Sequence, residues 1–327
     1  MKQLGHSFWT MLLVAATAVQ AQTTAVVDVA DYFTNQPFGW ATCSDADGTP
    51  YTVDGGFRNS NPKTVVLYSS GGDDRQAIMD AIKENDIIIL DGSKGDFILS
   101  KNMNIGNMKN KTIVGRNGAR LCTEWYVTPE LKQVLVDANL DKYSTSSGTG
   151  GTLSNGREVN EERELHTRQT IIDYLGDATE AYRNSGIFTL NSTNENLVFR
   201  NLTFVGPGSV DVGGADNIGN NGATHVWIDH CDFIDGMDSN LDSGYREGND
   251  QFVTYSWNVF RYTDRSYSHP YSNGTMWDRG FLQYVTYSYN IWGGRLYRPS
   301  SCGQVGLFAH GQQLLRLCGK QCGNLCR

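Results

Sequence analysis

The sequence predicts an all-β fold: a single-stranded parallel β-helix over roughly residues 60 to 295, with a helical N-terminal cap and one helical and loop excursion. Two observations carry this. Four segments echo one another: Leu197-Val-Phe-Arg-Asn-Leu-Thr-Phe204, Val226-Trp-Ile-Asp-His-Cys-Asp-Phe233, Val253-Thr-Tyr-Ser-Trp-Asn-Val-Phe260 and Val285-Thr-Tyr-Ser-Tyr-Asn-Ile-Trp292. Their starts lie about 30 residues apart, a solenoid spacing. Each segment is β-branched and aromatic, which suits strands, and no helical run separates them, which disfavours βαβ units. Stacked coils place like residues above like, so Asn258 and Asn290 are expected in an internal amide ladder. A β-sandwich is the competing arrangement.

Along the chain, residues 1–21 read as an export signal. Lys2 supplies the basic start, Trp9 to Val19 the short apolar run, and Val19-Gln20-Ala21 a small-residue cleavage site before Gln22. That run is too short for a membrane anchor. Residues 22–295 form the expected β-helix domain. Asp73-Asp74 followed by Arg75 to Asn85 predicts a short helix with Ile78, Ala81 and Ile82 on one face. Such a helix would cover the open end of the first coil. Early strands are expected at Asp86–Leu90, Phe97–Leu99 and Thr112–Val114. Residues 123–183 interrupt the pattern: Pro129 to Ala138 and Val159 to Arg183 look helical, with a Ser/Gly/Thr-rich stretch at 144–156 between them.

The net charge of −8 and the absence of any basic tract argue against nucleic acid. An acidic chain binds a polyanion only through local arginines or a bridging cation. Seven cysteines in an exported chain permit disulfides, although Cys302, Cys318, Cys322 and Cys326 crowd the end. A secreted monomer that contacts no membrane is expected.

The stretch Thr224 to Asp242 is the most informative. Val226, Ile228 and, with one slip, Phe233 alternate with polar residues as in a half-buried strand. The strand delivers Asp235, Asp238 and Asp242 to a loop. Asp211 follows the turn Gly206-Pro-Gly208 one coil earlier, so stacking would bring Asp211, Asp238 and Asp242 together as oxygen ligands for Ca²⁺. An EF-hand loop beginning at Asp238 fails, because Ser243 stands where Gly is required and Asn249 where Glu is required.

The segments G-P-G-S-V-D (206–211), T-H-V-W-I-D-H-C-D-F-x-D-G-M-D-x-N-x-D and V-T-Y-S-W-N-x-F together resemble the pectate lyases of polysaccharide lyase family 1. The resemblance is most specific over residues 197–262 and extends loosely back to 73–85 and 112–119. It implies a right-handed parallel β-helix, Ca²⁺ as cofactor, and β-elimination of polygalacturonate. By position, Asp211, Asp238 and Asp242 match the family's Ca²⁺ ligands, with Ser239 replacing the usual Gly after Asp238. The family's base is an arginine on a late coil, usually followed closely by Pro. Arg298, before Pro299, is the candidate here and Arg295 the alternative. Arg265 stands where the family places a cationic substrate clamp, whereas His230 is expected to be structural.

After Trp292 the resemblance stops. Residues 296–327 form an atypical tail, and Gln312 to Cys326 lacks strand periodicity. Read one nucleotide later, its codons permit N-N-Y-Y-D-C-A-G-N-S-A-A-I-Y-A, which looks like the family's next coil. A shifted frame near residues 293 to 300 is therefore expected, and it bears directly on the arginine base. Three other functions compete. A pectin lyase on methyl-esterified substrate needs no Ca²⁺ cluster. A β-helical hydrolase would need paired carboxylates, with Asp229 and Asp232 the candidates and Ala309-His-Gly311 a faint motif. A non-catalytic pectin-binding protein would lack the base.

Overall fold

The computed structural model describes Gly39 and residues 53–138, 140, 159–176, 186–209, 216–244, 252–266, 271–273, 275–276, 284–293, 301–302, 307–310 and 314–315. Strand β1 (Thr64–Tyr68) and helix α1 (Arg75–Glu84) precede the first full coil, which is β2 (Ile87–Asp91), β3 (Phe97–Leu99) and β4 (Met103–Asn104). The second coil runs through β5 (Lys109–Arg116) and β6 (Arg120–Thr123). It then leaves for α2 (Pro129–Asp137) and α3 (Val159–Leu175) and returns at β7 (Phe188–Asn191). The third is β8 (Glu195–Arg200), β9 (Thr203–Val205) and β10 (Ile218–Asn221). The fourth is β11 (Thr224–Asp229), β12 (Asp232–Ile234) and β13 (Ser239–Gly244). The fifth is β14 (Phe252–Ser256), β15 (Val259–Arg261) and β16 (Tyr271–Asn273), extended by β17 (Thr275–Met276). Then come β18 (Tyr284–Ser288), β19 (Ile291–Trp292), β20 (Ser301–Cys302), β21 (Leu307–His310) and β22 (Leu314–Leu315).

The first five coils each donate one strand to each of three parallel sheets, and β17 and β20 pair in a separate two-stranded sheet. The first sheet runs β1-β2-β5-β8-β11-β14-β18-β21, the second β3-β6-β9-β12-β15-β19-β22, and the third β4-β7-β10-β13-β16. Parallel pairing throughout excludes the sandwich for these segments. The two-residue strand β22 pairs with β19 and β21 with β18, so the described part of the tail continues two of the sheets.

The repeats expected as single strands are in fact two strands meeting at a corner. The corner residue is left-handed from the second coil to the one formed by β18 and β19: Asn117, Asn201, His230, Trp257 and Tyr289 have φ of 52–57°, whereas the first coil turns through a short 3-10 segment at Gly92–Lys94. The slip in alternation between Ile228 and Phe233 is this corner. A left-handed backbone costs a bulky L-residue roughly 1–2 kcal/mol, and the next residue offsets it. The Asn258 amide accepts from Cys231 N (2.9 Å) and donates to Ile228 O (3.0 Å). Asn290 repeats this one coil on, accepting from Asn258 N (2.9 Å) and donating to Tyr255 O (2.9 Å). This is the amide ladder expected from the repeat.

Inside, aromatic rings stack at the inter-strand repeat of about 4.8 Å. Phe204, Phe233, Phe260 and Trp292 follow one another with ring centroids 4.9, 5.1 and 5.8 Å apart. All four are fully buried, and burying each such ring contributes on the order of 2–3 kcal/mol. Helix α1 turns Ile78, Ala81 and Ile82 into the same core beside β2 and β3. Helix α2 starts as its sequence dictates: Thr128 Oγ1 accepts from Leu131 N, and Pro129 occupies the first turn. Its Leu131 and Leu135 join Ile171 of α3 in a separate cluster with Met237. The excursion therefore packs beside the loop that carries Asp238.

Replacing Asn258 with Ala leaves Cys231 N and Ile228 O buried without partners. We expect a loss of about 3 kcal/mol in equilibrium denaturant unfolding. A loss below about 1 kcal/mol would mean that the ladder is dispensable.

Candidate functional site

The second and third sheets are joined by the loops following β9 and β12, and the loop after β12 lies directly above its predecessor. Gly206 is required by this stacking, because a Cβ there would meet Asp235 O and the Asn217 amide. A second amide pair bridges the loops: Asn217 Nδ2 donates to Ile234 O (3.0 Å) and to Asn240 Oδ1 (3.1 Å). The Asn240 Oδ1 also accepts from Gly236 N (2.9 Å).

This frame delivers three carboxylates to one region. Asp216 precedes β10 and accepts from Ser239 N (3.0 Å) and from Ser239 Oγ. Asp238 immediately precedes Ser239, and Asp242 pairs across the ladder with Gly219. A side chain at 219 would press toward Asp216 Oδ2, 3.5 Å from an added Cβ. Burial pushes the Asp216 carboxyl well above the ordinary range, and the charges of Asp242 and Asp238 push it further. The cause is direct: like charges gathered in a half-desolvated corner disfavour ionisation. Among the described residues no three acidic, histidine or cysteine side chains already stand in metal-holding geometry. The donor set itself, carboxylates on and just before β10 and β13, is of the hard-oxygen kind that suits Ca²⁺.

Of the residues expected from the sequence, Asp238 and Asp242 each lie close enough to Asp216 for their charges to act on it. Asp211, Arg295 and Arg298 lie outside the described residues. Asp216 was not singled out by sequence reasoning. Its signal was available: Asp216-Asn217-Ile218 opens the strand that pairs with Asn240-Leu241-Asp242, and only that register places the two acids together.

Arg265 is exposed on the loop that follows β15. A buried hub below it fixes its loop. Asp235, left-handed at φ 55° and 1% exposed, accepts from Thr263 N (2.6 Å), Thr263 Oγ1 (2.5 Å) and Ser266 Oγ (3.0 Å). The Ser266 hydroxyl in turn accepts from Ser209 N (2.8 Å), tying the hub to the loop after β9. The Arg265 guanidinium lies 4.3 Å from the centroid of the Tyr126 ring, a cation–π contact that holds the fork in place. Together with Lys132, Asp264 and Thr128 it lines a cavity of about 570 Å³ beside α2.

Asp229 and Asp232, the carboxylates expected for a hydrolase, are both engaged. Asp229 is fully buried, accepts from Ser256 Oγ (2.6 Å), and pairs with Arg200 (3.4 Å) and His230 (2.6 Å). Asp232 instead holds Arg261 through two contacts of 3.1 and 2.6 Å. His230 serves structure, bonded to Asp229 and stacked on Trp257 at 5.7 Å.

No family model and no curated protein matches the chain. Among solved structures it is similar to ybhC of Escherichia coli, at 11% identity over 88% of this chain and 70% of that one, with a TM-score of 0.41. It is also similar to a pectin methylesterase in complex with a hexasaccharide (12% identity, 72% and 67% covered, TM-score 0.35). A thermostable pectate lyase matches at 12% identity over 85% and 84% of the chains, with a TM-score of 0.31. Likenesses this distant bear on neither activity nor substrate.

The raised Asp216 carboxyl has a stability consequence. The folded protein holds a proton that the unfolded chain has released, so metal-free stability rises as pH falls through the raised value toward the ordinary one near 3.9. Asp216→Asn keeps both acceptor bonds and removes the titrating group. Without metal, this variant is expected to be more stable than the parent at neutral pH by on the order of 1 kcal/mol. Equal thermal midpoints at neutral pH would show that the three carboxylates do not interact.

Proposed function

We propose that this chain is a secreted, Ca²⁺-dependent pectate lyase that cleaves polygalacturonate by β-elimination, acting as a monomer. The observation that carries the reading is the trio Asp216, Asp238 and Asp242 gathered at the adjacent strands β10 and β13, within the segment whose motifs resemble polysaccharide lyase family 1. The mutual repulsion of these carboxylates is what a divalent cation relieves. The same reading makes the solenoid a right-handed parallel β-helix, the hand favoured for parallel crossovers, with α1 as its cap.

Elimination from a uronate removes the C5 proton and expels the 4-O-linked sugar, leaving a C4–C5 double bond. Asp216, Asp238 and Asp242 would hold the cation, with Asp211 a fourth candidate from the sequence. Bound there, Ca²⁺ supplies charge neutralisation at the uronate carboxylate, which acidifies C5–H. Arg265, held by Tyr126, would take a neighbouring carboxylate in its fork. Arg298, with Arg295 as the alternative, would accept the C5 proton; an arginine does so only where its surroundings hold it unprotonated. No covalent nucleophile is needed. The hydrolase alternative loses ground because Asp229 is buried and already engaged.

The reading is tested by following the ultraviolet absorbance of the conjugated product on polygalacturonate, with Ca²⁺ and with chelator. We expect a Ca²⁺-dependent rise that falls by at least about 100-fold in Asp242→Ala. Reducing ends without conjugated product would identify a hydrolase and sink the proposal.

A further inference from the structure

The outer face of the second sheet is a trough that the site above does not use. Side chains alternate along each short strand, so Arg120 and Cys122, Thr203 and Val205, Asp232 and Ile234, and Val259 and Arg261 face outward in register. Val205 and Ile234 pack with Cys122 and Ile98 as an apolar floor. Above it lies a cavity of about 470 Å³ lined by Arg120, Thr203, Arg261 and Arg265. Arg265 lines this cavity and the one beside α2, so the two adjoin at that residue. On the opposite side the trough is bounded by the corner ridge, where Trp257 and Tyr289 are stacked at 4.4 Å yet 46% and 39% exposed. From β6 to β15 the trough spans three inter-strand steps, about 14 Å.

Its charge is opposite to that of the chain. Arg120, Arg261 and Arg265 line it together with the carboxylates of Asp232 and Asp235, so the lining keeps a small positive excess in a protein of net charge −8. Arg261 is oriented by a bidentate contact with Asp232. The contact of Arg120 with Asp96 is long, at 3.7 Å, with both side chains more than 40% exposed, so solvent screens it and the fork stays available. Arginine forks along an apolar floor suit a polymer that presents carboxylates at intervals and C–H faces between them. We propose that the outer face of the second sheet is an accessory binding site for a uronate polysaccharide chain. The site needs no metal and guides the polymer toward the catalytic region at Arg265. The choice of polymer rests on the lyase reading; the anionic-chain site rests on the trough itself.

The test is affinity electrophoresis of the full chain through gels containing polygalacturonate or neutral galactan, in chelator so that the acidic cluster plays no part. Arg120→Glu and Thr203→Glu each place a negative charge in the trough at partly exposed positions. We expect the parent to be retarded by polygalacturonate and not by galactan, and each variant to bind roughly three- to tenfold more weakly. Thermal melts identify any variant that is misfolded, and two independent positions guard against one failing to fold. Retardation of both folded variants equal to the parent's, or a parent that is not retarded, overturns the inference. Elimination of a trigalacturonate with Ca²⁺ is measured in parallel. If that activity is missing while the trough-dependent retardation persists, the lyase reading fails and the trough stands. If elimination is intact and retardation is indifferent to the trough, the trough alone fails.

Discussion

The parallel register between successive coils is the constraint on which everything else in this protein depends. Backbone hydrogen bonds hold β8, β11, β14 and β18 in one unbroken ladder, so position n of a coil always lies above position n of the coil before. A turn with a single left-handed residue keeps that register through the corner between the first and second sheets, and the amides of Asn258 and Asn290 saturate the polar groups the corner exposes. Inserting one residue at this corner would move Phe233 from the core face to the solvent face and leave the amide ladder without partners.

Like-on-like stacking stabilises apolar and amide columns and does the opposite to charges. The column Phe204, Phe233, Phe260 and Trp292 gains both burial and ring contact. The stacking of Asp216 against Asp238 in the loop and Asp242 in β13 gathers negative charge where water is partly excluded, and a stack built for stability alone would not do this. The protein tolerates it because the surrounding loops are rigidly bonded, through Asn217, Asn240 and the Asp235 hub. Such rigidity also prevents the acids from moving apart in the absence of a cation.

The outer faces of the three sheets are treated differently. The first is covered by the N-terminal segment, where Val53 packs on Val198 and Trp227, and Asn196 Oδ1 accepts from Asp54 N (2.9 Å) and Gly55 N (3.0 Å). The third carries the acids. The second is open, arginine-lined and floored by aliphatic side chains. In a solenoid each outer face has its own composition because alternation separates it from the shared core, and this independence lets one short coil serve a site on two sheets at once.

The repeat V-T-Y-S-aromatic-N was enough to determine strands, stacking, the aromatic column and the amide ladder, because those depend on a period that any sequence displays directly. The helix at Arg75–Glu84 and its buried face were equally legible, as was the excursion near residue 129. The corner was not: a left-handed Trp257 or Tyr289 carries no local signature, since these residues rarely adopt that conformation and do so here only because the neighbouring coils hold them. The membership of the acidic trio was not legible either. Asp216 and Asp242 are distant in sequence, and only the β10–β13 register makes them neighbours; Asp211, expected from the sequence, lies outside the described residues. The guanidinium-lined trough likewise belongs to the tertiary structure alone, because Arg120 comes from the second coil and Arg261 and Arg265 from the fifth. A sequence displays periodicity along the chain; charges that meet across coils are decided by register, which exists only once the chain has folded.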